Sequence, residues 1–291
     1  MKIKQSIHKL VPNSLWRYLR ERKIVATHSA VAKICEDLIS EADKDGVYKE
    51  IVPLQDLGTD KVIWQYWAQG YNDLPPIVAE CLASVDKYKG EYKVIRLSDA
   101  NIEDYIAIPE YMNKNRHNMS VANYSDILRL MLLSAYGGVW MDSTILLTDF
   151  IPEQYLNSDF FVFQRDPEEN NKEYWENTYA YYFGWADGFR VRMLNSFIVA
   201  KKHNPIVDEL CRLMLRWWKQ NDYLPDYFFF QILFDVLVSD KFKKCNCAIV
   251  NDCLPHYLQQ LTNDPMFSIM SRDEILKIVT IHKLTYKNEL R

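Results

Sequence analysis

"SVANYSDILRLMLLSAYGGVWMDSTI", Ser120–Ile145, decides the fold. From Ala122 to Tyr136 nearly every residue is apolar or small, which predicts a helix buried on most sides. Gly137 falls where that helix ends, and Gly138 permits a sharp reversal into a short strand, Val139-Trp140-Met141. Asp126 and Arg129, three residues apart, share one helical face. As an exposed pair they would stabilise the helix by only about 0.2–0.5 kcal/mol. The same face carries Ala122 and Leu133, which points to burial. Burying ions costs several kcal/mol each unless other groups compensate. A polar pocket that takes a ligand supplies that compensation; a surface ion pair is the ordinary alternative. Asp142 lies near the carboxyl end of the strand, where open α/β sheets place their ligand crevice. A carboxylate there can hold a divalent cation or accept from a sugar hydroxyl. An Asp-Ser-Thr turn is the commonplace alternative.

Outward from this stretch, strands alternate with helices. "KVIWQYW" and "EYKVIRL" read as strands, and "LPPIVAECLASVDKY" between them as a helix opened by Pro75 and Pro76. "SDANIEDYI" and "PEYMNKN" read as short helices. Downstream, "DFFVFQR" and "NSFIVAKK" read as strands, and "NPIVDELCRLMLRWWKQ" and "DYFFFQILFDVLVSD" as helices. "VTIHKLTYK" closes the chain as a strand or extended tail. The alternation predicts an α/β sandwich with a mostly parallel sheet and flanking helices over residues 51–291. Residues 1–50 read as a separate, basic helical extension. In it "THSAVAKICEDLISEADKDG" starts at a cap on Thr27 or Ser29 and ends at Gly46. Pro53–Asp60 reads as a linker.

Composition narrows the class. At 48% hydrophobic with few Gly and Pro, the 291 residues suffice for a sizeable core. Aromatics are abundant, 19 of them tyrosine; most pack, and a minority suit the flat faces of sugars or nucleobases. The net charge of −4 argues against a nucleic-acid partner. Residues 1–24 carry seven Lys/Arg and one acid, Glu21, a local +6 that leaves −10 for the remainder. With Ile3, Ile7, Leu10, Leu15, Trp16, Tyr18 and Leu19 this segment suits either peripheral contact with an anionic membrane face or an ordinary helix on the body. Nothing there resembles a signal peptide, and the longest apolar run, "YFFFQILFDVLV", is too short to span a bilayer. The six cysteines match zinc spacing poorly and read as free thiols in a reduced cytosol. The expected location is cytoplasmic.

The segment "SDILRLMLLSAYGGVWMDST" resembles the signature of sugar transferases with the GT-A glycosyltransferase fold. It is most similar to capsular polysaccharide synthesis proteins related to the DXD-containing transferases of family 32. "IWQYWAQGYNDLPPIVAECLASV", "NSFIVAKKHNPIV", "DYFFFQILF", "PHYL" and "IHKLTYK" match in order, so the resemblance spans roughly residues 60–290. It implies a Rossmann-like α/β fold and a nucleotide-sugar donor. Ile63, Trp64 and Gln65 are implied at the nucleotide, Asp126 and Arg129 at the donor sugar, and Asp142 at the ribose, sugar or metal. Gly138, Ser143, Thr144, Tyr227 and Lys283 complete the implied donor site. A divalent cation, Mn²⁺ or Mg²⁺, is implied at the D-x-D motif, held here by Asp142 with His282. The second Asp of that motif is Thr144, however, and a neutral hydroxyl binds such ions more weakly. His282 and Lys283 neutralising the diphosphate directly is the alternative. Asn195 and Ser196, with Asp226 and Gln231, are the candidates for a nucleophile; a front-face path needs none. His256 stays open between site and structure, and His8, His28, His117 and His203 read as surface. The implied activity moves a hexose, from UDP-galactose or UDP-glucose, to a lipid-linked or growing capsular or exopolysaccharide acceptor with retention. A non-catalytic carbohydrate-binding or assembly protein of the same fold is the other reading; Thr144 favours it, and the joint presence of Asp126, Arg129, Asp142 and His282 disfavours it.

Overall fold

The computed structural model describes residues 13–45, 51–58, 61–245, 247–264 and 266–286. Its strands are β1 (Val62–Tyr66), β2 (Lys93–Leu97), β3 (Gly138–Met141), β4 (Ile145–Leu147), β5 (Phe160–Gln164), β6 (Met193–Ala200) and β7 (Ile281–Lys283). β1 and β3 are buried at every position, as β-branched and aromatic runs are in the middle of a sheet covered on both faces. Five strands form the central sheet in the order β2-β1-β3-β6-β5. β1 runs parallel to β2 and to β3, while β6 is antiparallel to both β3 and β5. The sheet is therefore mixed, which corrects the expectation of a mostly parallel one. The misreading has a simple cause: a strand covered on both faces gives an apolar run whichever way it points.

Two helices flank the functional region. The Val121–Tyr136 helix begins at Ser120, whose side chain accepts from the Asn123 N–H, and it packs against the Pro205–Gln220 helix. It stops because Gly137 adopts φ 71° and Gly138 φ 97°. A Cβ on Gly137 would come within 2.5 Å of the Lys202 backbone nitrogen, so the reversal into β3 tolerates no side chain. A second, two-stranded sheet was not foreseen. β4 pairs antiparallel with β7, setting Ile145 opposite Lys283 and Leu147 opposite Ile281. The last of the described strands is thereby drawn beside the Asp142-Ser143-Thr144 turn.

The first described helix runs unbroken from Asn13 to Asp45. Thr27 and Ser29 do not cap it; their hydroxyls donate back to the Lys23 and Val25 carbonyls one turn earlier. Ile24, His28, Val31, Cys35, Leu38 and Ala42 form its buried stripe, and it packs against the Phe229–Ser239 helix. His28 is thus buried rather than on the surface. Its Nδ1 accepts from the Arg190 N–H at 3.1 Å, and its ring meets Phe189 edge-on. Residues 1–12, which hold His8 and half of the basic segment, and Gly46 lie outside the described residues. Among the described residues no helix is long and apolar enough to cross a membrane.

Candidate functional site

The buried charges of the 121–136 helix meet the carboxyl end of β3. Asp126 and Arg129 are 5% and 3% exposed and form an ion pair at 2.8 Å. That burial excludes the surface-pair alternative. Arg129 also donates to the Asn195 carbonyl at 2.8 Å, to Ser125 Oγ at 3.0 Å and to Asp142 Oδ1 at 3.4 Å. Its guanidinium lies 5.2 Å from the Trp140 ring and 5.9 Å from Phe230. Asn195, on β6, completes the arrangement by donating its amide N–H to Asp126 Oδ1 at 2.8 Å. Burial pushes the Asp126 carboxyl up to about 6; Arg129 opposes that shift and the nearby Asp142 adds to it.

Asp142 is the edge of this cluster that solvent reaches, its side chain 25% exposed. Oδ1 accepts from Trp140 Nε1 at 2.9 Å and from Arg129, and Oδ2 from Lys283 Nζ at 3.3 Å. Lys283 Nζ also donates to Thr144 Oγ1. Ser143 Oγ donates to the Tyr66 carbonyl at 3.0 Å and so ties the end of β3 to the end of β1. Tyr227, largely exposed, lies close enough for Asp126, Asp142 and Arg129 to act on its hydroxyl. Asp126, Arg129, Asp142, Ser143, Thr144, Asn195, Tyr227 and Lys283 therefore come together.

Other expected residues sit apart from this opening. Successive residues of a strand point to opposite faces, so with Lys283 on Asp142, His282 turns away. His282 is fully buried and its Nε2 lies 3.0 Å from Thr148 Oγ1. Burial lowers it to about 4, so its ring is neutral. Ile63 and Trp64 are fully buried in β1, and the Trp64 indole donates to the Gly137 carbonyl at 3.0 Å. Gln65 is buried too, its Oε1 3.4 Å from Arg96 Nε and its Nε2 without a partner. Gly138 serves the turn. Ser196 contributes its carbonyl to the Asp142 N–H at 2.9 Å, while its buried hydroxyl has no partner. Asp226 accepts from the Phe228 N–H, and the Gln231 side-chain carbonyl is buried without a partner. His256 packs edge-on against Tyr182 and Phe183, and burial lowers it to about 4.

A neighbouring cluster escaped the sequence reading. At the carboxyl ends of β1 and β2 the Tyr66 hydroxyl bonds Asp99, which also faces Arg116 at 3.5 Å. Arg116 lies 4.2 Å over the Tyr124 ring, and Tyr124 faces Tyr66 at 6.3 Å. The rule that singled out Asp142, a carboxylate just beyond a strand's carboxyl end, applies equally to Asp99 after β2.

A family model described as capsular polysaccharide synthesis protein matches residues 15–291. Over 171 residues the chain is 28% identical to O-glycosyltransferase braB of Annulohypoxylon truncatum, a match covering 55% of this chain and 38% of that relative. The matched region thus spans well under half of that relative's length. Among solved structures, the PaToxG glycosyltransferase aligns at 14% identity over 75% of this chain and 80% of its own, with a TM-score of 0.38.

Proposed function

We propose that this chain, which belongs to the capsular polysaccharide synthesis protein family, transfers a hexose from a nucleotide sugar to a lipid-linked or growing surface-polysaccharide acceptor. One observation carries the reading. The buried Asp126 carboxylate and Arg129 guanidinium converge with the partly exposed Asp142 carboxylate at the carboxyl end of β3, and the cluster opens to solvent at Asp142, Lys283 and Tyr227. Such a cluster is costly to bury and gains little as a structural device. It suits a polyhydroxyl ligand joined to an anion, with carboxylates accepting from sugar hydroxyls and cations facing phosphate. Beside it the exposed Asp99 and partly exposed Arg116 side chains, backed by the buried Tyr66 and Tyr124, offer polar groups for the nucleoside. UDP-glucose and UDP-galactose are the donors the reading favours.

The chemistry asks for stabilised charge and a dry site. The bond from the anomeric carbon to the diphosphate oxygen breaks, and its electron pair leaves on that oxygen. The acceptor hydroxyl oxygen forms the new bond on the same face, with retention, and its proton passes to the departing phosphate oxygen. No covalent nucleophile is needed on this path, and Asn195 acts by holding Asp126. Residues 1–24 extend the reading to a membrane face. Leu15, Tyr18 and Leu19 are exposed on this helix, and Leu19 lines a groove of about 810 Å³ with Trp16, Arg17, Arg20, Lys23 and Glu173, a mixture suited to anionic headgroups.

The test is turnover. The full chain is incubated with a panel of nucleotide sugars, with and without lipid-linked saccharide acceptors, and nucleoside diphosphate release is measured. One donor should be consumed, and Asp142→Asn should lower the rate by about 10²-fold or more. A panel that yields no release, or a variant as fast as the wild type, overturns the reading.

A further inference from the structure

The resemblance implies a divalent ion at the D-x-D positions, here Asp142 and Thr144, and the group lying between their side chains is the Lys283 ammonium. Lys283 Nζ reaches Asp142 Oδ2 at 3.3 Å and Thr144 Oγ1 as well. The other carboxylate oxygen of Asp142 is engaged by Trp140 Nε1 at 2.9 Å and faces Arg129 at 3.4 Å. A magnesium or manganese ion asks for several oxygen ligands in a near-octahedral set. Here one carboxylate has both oxygens occupied, the second ligand is a neutral hydroxyl, and a positive charge already sits between them. His282, which would complete the set, turns to Thr148 instead. Among the described residues no group of three or more His, Cys, Asp or Glu is placed to hold a metal. These residues do not fit a divalent cation.

We propose that Lys283 takes the ion's place: its ammonium binds the donor diphosphate directly, and donor binding and transfer proceed without a divalent metal. The charge balance agrees. Two carboxylates with a divalent ion sum to zero, and so do Asp142 and Lys283. Losing the acid at position 144 is matched by gaining a fixed cation from β7. The placement of that cation is structural. β7 pairs with β4 so that Lys283 stands opposite Ile145, and the Leu284 N–H donates to the Thr144 carbonyl at 2.9 Å. An ammonium has three donors. Asp142 and Thr144 take two, and the third is left for a phosphate oxygen, so the anchor need not break when the donor enters. Lys283 and Asp142 are each one-quarter exposed, which opens the pair to a ligand. A partly solvated ion pair contributes little to stability, so stability alone gives weak reason for it.

The inference rests on the sugar-transfer reading, and the experiment separates the two. Binding of UDP and GDP to the full chain is measured by calorimetry in EDTA and again in Mn²⁺, for the wild type, Lys283→Ala and Lys283→Arg. Free Mn²⁺ is titrated by electron paramagnetic resonance into the wild type and into the double variant Thr144→Asp/Lys283→Ala, with circular dichroism checking the fold of each. The wild type should bind a nucleoside diphosphate equally in EDTA and Mn²⁺ and leave the free-Mn²⁺ signal unchanged. Lys283→Ala should weaken binding roughly ten- to a hundredfold, with Lys283→Arg retaining most of it. The double variant, with its carboxylate pair restored, should take up Mn²⁺. Wild-type binding that vanishes in EDTA and returns with Mn²⁺ overturns the inference while leaving sugar transfer intact. Uptake of Mn²⁺ by the wild type, or Lys283→Ala binding like wild type, overturns it too. Absence of binding under either condition overturns both.

Discussion

Replacing Arg129 with methionine tests the buried cluster through its electrostatics. Methionine keeps much of the packing against Trp140 and Phe230 but removes the guanidinium that faces Asp126, Asp142, Ser125 and the Asn195 carbonyl. Breaking a buried pair by deleting one partner costs about 3–5 kcal/mol, because the other charge is left uncompensated. That is a large share of a domain's total stability of roughly 5–15 kcal/mol. The cost should depend on pH with a definite sign. Burial already lifts Asp126 to about 6, above its unfolded value, and Arg129 holds it down from higher. A carboxyl raised in this way contributes stability at low pH that is lost as pH rises through its folded value. Without Arg129 the folded value climbs further, so the variant suffers most when the medium demands an ionised Asp126. At pH 8 the loss should be the full 3–5 kcal/mol or so. At pH 5, where Asp126 is protonated in both proteins, it should fall to about 1–2 kcal/mol, the remaining loss of hydrogen bonds and ring contacts. Urea unfolding at the two values, with Asp126→Asn/Arg129→Met beside the single variants, measures this. A cost that does not change with pH, or one below about 1 kcal/mol at pH 8, would refute the buried pair as described.

Three further outcomes follow from the same geometry. His282 is neutral and buried, lowered to about 4 by burial first and by Arg272 second; the unfolded chain therefore binds the extra proton between roughly pH 6.5 and 4, and stability falls as pH falls through that window by about 3 kcal/mol. His282→Gln should reduce the slope of that part of the unfolding-midpoint profile, leaving the share of His256, which burial also lowers to about 4, and an unchanged slope would count against a buried, neutral ring. Gly137→Ala should cost about 2 kcal/mol or more in urea unfolding, since a methyl there meets backbone at 2.5 Å, whereas Gly90→Ala, also at positive φ but facing open space, should cost about 1 kcal/mol; equal costs would contradict the close approach. Leu15→Glu/Leu19→Glu should abolish flotation with anionic vesicles, and unaltered flotation would end the membrane reading of that face.

Much of the candidate cluster was legible because its residues sit in one short stretch whose chemistry conflicts with its surroundings. Charges in a helix that is apolar on most sides, a glycine pair and a carboxylate at a strand end locate Asp126, Arg129 and Asp142 from local pattern alone. Sheet direction was not legible, because β6 is as apolar as a parallel strand and its reversal depends on chain path. The β4–β7 pairing was equally hidden. It joins residues 145–147 to residues 281–283, and no local signal announces a contact over that separation. That pairing decides between His282 and Lys283, since strand alternation lets only one of two neighbours face Asp142. His28 was misread for a similar reason: it packs on Phe189 and the Arg190 N–H, far along the chain, not on its own neighbours in sequence.

The central claim is that the opening at Asp142 binds an intact nucleotide sugar, and equilibrium binding tests it most directly. Calorimetric titration of the full chain with UDP-glucose, UDP-galactose and their nucleoside monophosphate, repeated on Asp142→Asn and Arg129→Met, should show a sugar donor bound more tightly than the monophosphate and that preference lost in both variants. Equal affinity for donor and monophosphate, or a preference that survives both substitutions, would contradict the account.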